Sequence, residues 1–212
     1  MKHNRAFQGT PRQMTVAAMI MSLTMLLVPD FAHAHSVGTA GGFMSGLWHP
    51  VLGFDHFLAM VSVGILSAQL GGRAIWSVPL TFISVMVFGA FLGMQGINIV
   101  EVEFGIAFSV AALGIALAAE KKMPASLAML AVGIFAVFHG HAHGAEMPEI
   151  VTPLLYASGF VAGTATIHIL GVFIGVVCSR NVRSTDFLRF VGAGIAGIGI
   201  HLLYILRIVA RG

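Results

Sequence analysis

Apolar stretches of roughly 18 to 25 residues follow one another along this chain, the length a helix needs to cross the hydrocarbon core of a bilayer. Each ends in a short break of glycine, charge or both, such as Gly71-Gly72-Arg73 or Glu120-Lys121-Lys122. Lipid offers no water to backbone N–H and C=O groups, so runs of this kind must form helices or a closed barrel, and their length selects helices. Composition agrees, with 58% hydrophobic and 9% charged residues, far from the balance of a soluble domain. The fold class expected is all-α, a polytopic transmembrane helix bundle with six spans after a cleaved signal peptide. The spans fall near residues 47–70, 75–94, 102–119, 124–143, 154–177 and 187–208.

The N-terminus reads as an export signal. Lys2, Arg5 and Arg12 precede an apolar run over residues 16–28, and Ala32-His33-Ala34 supplies the small residues of a cleavage site. Residues 1–34 are therefore expected to be a signal peptide and residues 35–212 a six-helix transmembrane domain. The formal net charge of +3 falls once Lys2, Arg5 and Arg12 are removed, so no nucleic-acid partner is implied. The lone cysteine, Cys178, excludes an intrachain disulfide and a thiolate metal cage.

With cleavage, the mature N-terminus starts outside. Alternation then puts Arg73, Lys121, Lys122, Arg180, Arg183 and Arg189 on the cytoplasmic side, as the positive-inside rule demands. The external loops hold Glu101, Glu103, Glu146 and Glu149 and no basic residue; Arg207 and Arg211, at the tail, are exceptions. The expected location is a membrane that the chain crosses several times, with the N-terminus outside after cleavage and the lipid bilayer as the surrounding partner. Within the spans, Gly89/Gly93, Gly159/Gly163, Gly171/Gly175 and the glycines from Gly192 to Gly199 have the small-residue spacing that lets helices approach closely.

Against this apolar background, ionisable side chains in a span are costly and mark function by default. His49-Pro50-Val51-Leu52-Gly53-Phe54-Asp55-His56 carries two imidazoles and a carboxylate, and His139-Gly140-His141-Ala142-His143 with Glu146 repeats the theme. Neutral imidazole and carboxylate suit divalent Ni, Co, Zn or Cu. On a continuous helix, His49 and His56 would stack about 10 Å apart on one side, although Pro50 and Gly53 loosen that turn. Asp55 either binds metal or orients a histidine and fixes its tautomer. His139 and His143 share a helical face, while His141 points elsewhere unless the helix has ended and the three form an extended chelate. By topology both clusters lie in the outer half of the membrane. His168, in span five, is either a deeper step in the path or a packing histidine. His35, as the first mature residue, would add an imidazole and a free amine. His201 has no polar neighbour one turn away and is assigned to packing.

The motif His49-Pro50-x-x-Gly53-x-Asp55-His56, the motif Phe138-His139-Gly140-His141-Ala142-His143-Gly144-x-Glu146 and the intramembrane His168 resemble the HupE/UreJ family of membrane proteins over essentially the whole mature chain. The resemblance implies uptake of nickel, or sometimes cobalt, across the bacterial cytoplasmic membrane, serving hydrogenase or urease maturation. It carries the first-helix site onto His49, Asp55 and His56, and the fourth-helix site onto His139, His141, His143 and Glu146. The first motif is also similar to the His-x4-Asp-His signature of the larger nickel/cobalt transporter family, but five residues separate His49 from Asp55 here, so that ligand geometry does not transfer.

The sequence thus points to a secondary permease, not an enzyme, importing Ni²⁺ or Co²⁺ through His49, Asp55, His56, His139, His141, His143, Glu146, His168 and His35. The metal is the transported ion and no prosthetic group is expected. Two rivals stand beside it: an intramembrane zinc-dependent hydrolase, and a metal-binding sensor or accessory subunit.

Overall fold

A computed structural model of the chain describes residues 42–120, 122–147, 152–180 and 182–211. The expected signal peptide, its cleavage site and His35 lie outside them. Among the described residues every regular element is a helix: α1 (Gly42–Leu52), α2 (Phe54–Leu70), α3 (Ala74–Met94), α4 (Val102–Ala119), α5 (Ala125–Ala145), α6 (Pro153–Cys178) and α7 (Val182–Val209).

The first expected span is not one rod. It is two helices meeting at Gly53 with a bend of 81°. Pro50, inside α1, has no N–H to give to the helix, and Gly53 adopts an extended backbone (φ −76°, ψ 102°). Among the described residues five helices are long and apolar enough to cross a membrane: α3, α4, α5, α6 and Thr185–Val209 within α7. Among the same residues a sixth span is present if α1 and α2 together count as one. The other boundaries fall within a few residues of those expected, except that α7 begins at Val182.

α2 is the axis of the bundle, packing against α3, α4 and α6. Its burial runs almost all round, through Ala59, Met60, Ser62, Val63, Gly64, Ile65, Leu66 and Ser67, as expected for a helix with apolar residues on every face. Phe82 and Met86 from α3, Val110 and Leu117 from α4, and Val132 from α5 complete the core around it. Two hydroxyls here return to their own helix: Ser67 Oγ donates to the Gly64 carbonyl at 2.7 Å and Thr81 Oγ1 to Ser77 O at 2.8 Å.

Glycine sets the closest approaches. α3 and α5 pack so tightly that a Cβ on Gly140 would meet the Met86 carbonyl oxygen, and one on Gly144 the Ala90 carbonyl oxygen. From the other helix, Gly89 faces the Val137 carbonyl and Gly93 that of His141. The same device joins α1 to α6, where Gly46 lies on Tyr156 O and Gly159 on Phe43 O. The glycines inside the second histidine motif therefore serve packing on one face of α5 while the histidines occupy another.

Gly140→Ala and Gly144→Ala should each destabilise the protein by about 1–3 kcal/mol, the usual cost of overpacking. Gly197, with open space around its Cβ position, is the control: Gly197→Ala should leave the thermal midpoint in detergent unchanged or raise it. Equal midpoints for all three variants would refute the close-approach account.

Candidate metal centre

The bend at Gly53 turns the last turn of α1 and the first turn of α2 toward one place on α5. His49 and His56, one on each side of the bend, both lie against His143: ring centroids are 4.7 Å apart for His49–His143 and 4.3 Å for His56–His143. His56 also meets His139, one turn earlier on α5, at 4.6 Å. The two sequence motifs thus form one cluster. The expected stacking of His49 and His56 on one continuous helix face does not occur, because the helix is broken between them.

α5 sorts its histidines by helical periodicity. His139 and His143, four apart, face the cluster with the buried stripe of Ala128, Val132 and Ala136. His141 faces away and its Nε2 is engaged with the Ile97 carbonyl at 2.7 Å, fastening the connection between α3 and α4. The structure does not bring His141 into the cluster, and the extended-chelate geometry is replaced by a helix running to Ala145.

At the accessible side, Glu146 follows the end of α5. One ligand atom each from His49, His143 and Glu146 lie within 4.8 Å of one another, with His49 Nε2 3.9 Å from Glu146 Oε2. Exposure falls from Glu146 through His49 to His143, which is only 3% exposed. Tyr156 and Phe160 of α6 wall this part, with ring centroids 5.8 Å and 6.3 Å from His49.

Asp55 is hydrogen-bonded to its neighbour. Its Oδ1 accepts from His56 Nδ1 at 2.8 Å and from the His56 backbone N–H at 2.8 Å, a geometry that suits the orienting role. With the hydrogen on Nδ1, the free lone pair of His56 is on Nε2, the arrangement in which a carboxylate fixes a metal-binding tautomer. Gly53 makes room, since a Cβ there would lie 3.3 Å from His56 Nδ1.

Buried polar atoms are nearly always hydrogen-bonded. Here His56 Nε2, His139 Nδ1, both ring nitrogens of His143 and the Tyr156 hydroxyl are buried with no hydrogen-bond partner. These bare atoms are of the class that suits a borderline divalent cation, and they lie on rings packed beside the His49–His143–Glu146 group.

His168 is buried in α6, and both its ring nitrogens also lack partners. It touches Phe82, at 5.1 Å between centroids, and Phe82 in turn touches His139 at 5.6 Å. An aromatic ring thus stands between His168 and the cluster. His201 is exposed on α7, away from these contacts, and does not pack in the core.

Three residues that sequence reasoning missed complete the surroundings. Ser109 lies 2.8 Å from His139 Nε2; a serine in an apolar helix gave no signal. Phe82 reads as ordinary core. Glu103, counted only as an external charge, is close enough to Asp55, His56 and Glu146 to interact electrostatically with each, and its place beside the motif at one end of α4 depends on helix packing.

The sequence pattern of the family described as HupE / UreJ protein matches residues 23–202. The chain is 42% identical to Protein HupE of Rhizobium leguminosarum bv. viciae over 191 residues, covering 90% of this chain and 99% of that one. No solved structure matches. A match across most of the chain, including both histidine motifs, fixes its kinship: the chain belongs to the HupE/UreJ family.

Proposed function

We propose that the chain is a secondary permease that imports Ni²⁺ or Co²⁺ across the bacterial cytoplasmic membrane. The observation that carries this reading is the group of partnerless imidazole nitrogens on His56, His139 and His143, buried where two motifs from separate helices converge. A neutral packing network would give the lone pairs of these nitrogens hydrogen-bond donors; they have none, and a cation would accept them. Glu146, His49 and His143 form the entry, His56 and His139 the station below it, and His168 a deeper one beyond Phe82. Charge distribution favours the entry facing outward, with the acidic side chains outside and six basic residues inside. His35 would join the entry if the signal is cleaved before it.

The membrane potential favours such import, at about 2.3 kcal/mol per charge per 100 mV, and an ion gradient or a partner is the alternative source of drive. The metal delivered inside would serve hydrogenase or urease maturation, as the kinship with Protein HupE suggests. The grouping of His49, His143 and Glu146 also has the two-histidine, one-carboxylate composition of some zinc hydrolases. Uptake measurements separate the two readings, because a hydrolase holds its metal while a permease passes it on.

Radioactive nickel uptake into proteoliposomes is the test. His56→Ala and His143→Ala should abolish uptake with insertion intact, and normal uptake in both would remove the site from consideration. Asp55→Asn should weaken metal binding about 10–100-fold, as loss of an orienting partner does. Metal bound by purified protein with no uptake would favour the sensor or accessory reading.

Acidity gives an independent check. Imidazole binds metal only when neutral, and an ordinary histidine takes up its proton near pH 6.5. Proton and metal therefore compete as pH falls, so uptake at an external pH of about 5 should be weaker than at neutrality. A rate rising steadily with acidity would instead indicate proton-driven import.

A further inference from the structure

Ser109 on α4 makes two contacts through one atom. Its Oγ lies 2.7 Å from the Ile106 carbonyl oxygen, to which it donates, and 2.8 Å from His139 Nε2. A hydroxyl has a single hydrogen. With that hydrogen on Ile106 O, the Ser109 oxygen can only accept from His139, so the imidazole carries its hydrogen on Nε2. The reverse arrangement makes one hydrogen bond fewer and puts an N–H on His139 Nδ1, a fully buried atom with no acceptor. The lone pair therefore sits on Nδ1.

His56 is fixed in the opposite sense. Asp55 Oδ1 takes its Nδ1–H, so its lone pair is on Nε2, likewise buried and unpartnered. The two rings stand edge to face with centroids 4.6 Å apart. Two different devices on two different helices thus leave one bare nitrogen on each of two adjacent imidazoles.

We propose that Ser109 is a positioning residue of the metal path: it holds His139 as the Nε2–H tautomer, so that His139 Nδ1 and His56 Nε2 form the inner pair of ligands. The inference rests on the metal-transport reading for the identity of the ligand. The tautomer itself does not, and that separation makes the test clean. Orientation by an outer partner is worth about 10–100-fold in metal affinity.

¹⁵N spectra of histidine-labelled, metal-free protein in lipid nanodiscs distinguish the two neutral tautomers, with the His139 signals identified by their loss in His139→Gln. The wild type should show Nε2–H for His139 and Nδ1–H for His56. In Ser109→Ala the His139 signals should move toward the other tautomer while those of His56 stay, and Co²⁺ should bind about 10–100-fold more weakly. Ser109→Thr, which keeps the hydroxyl, should restore both readouts; a merely structural role would not track the hydroxyl in this way. If Ser109→Ala fails to fold, the wild-type spectrum still decides. Nδ1–H on wild-type His139 would overturn the inference and leave the permease reading standing. Wild-type protein that shows the expected tautomers but binds no Co²⁺ would overturn the metal reading instead.

Discussion

The 81° turn at Gly53 determines how the polar side chains of this protein meet. A straight helix would keep His49 and His56 about 10 Å apart along its axis, too far for both to reach one residue on a neighbouring helix. Broken, the same segment presents the end of α1 and the start of α2 to His143 together. A break at membrane depth is tolerable only inside protein, because exposed backbone groups find no partners in lipid. Few are exposed: Gly53 N–H still reaches His49 O at 3.3 Å, and Gly53 O accepts from Phe57 N at 2.8 Å.

The opposite side of the cluster is built by tight packing. α5 is held on α3 by Gly140 and Gly144, which sit on the Met86 and Ala90 carbonyls, and this fixes the rotation of α5 that turns His139 and His143 inward. His141 on the remaining face ties down the neighbouring connection through Ile97. One short motif thus supplies a packing surface, a fastening and two inward imidazoles, each assigned by its angle around the helix.

Polarity inside the bundle is managed in two ways. Some hydroxyls return to carbonyls of their own helix, as those of Ser67 and Thr81 do, and cost the core little. The cluster does the reverse, with Asp55 and Ser109 each occupying one nitrogen of a histidine while the other nitrogen is left bare. Bare nitrogens left on adjacent buried imidazoles, with no donor facing them, suit a cation.

Local pattern alone carried much of this. The apolar runs set the helical class and, apart from the broken first segment and the early start of α7, the helix boundaries to within a few residues, because span length is dictated by bilayer thickness, and an ionisable residue in such a run is conspicuous wherever it falls. His49, Asp55, His56, His139, His143 and Glu146 were legible for that reason. Sequence could not decide whether Pro50 and Gly53 merely loosen a helix or break it, whether Asp55 binds or orients, or which histidine of α5 turns away. Those outcomes depend on which surfaces helices bury against one another. The contributions of Ser109, Phe82 and Glu103 were invisible for the same reason: a serine, a phenylalanine and a helix-end glutamate are ordinary in any membrane helix, and only the packing of α3 and α4 against the broken first segment brings them to the histidines.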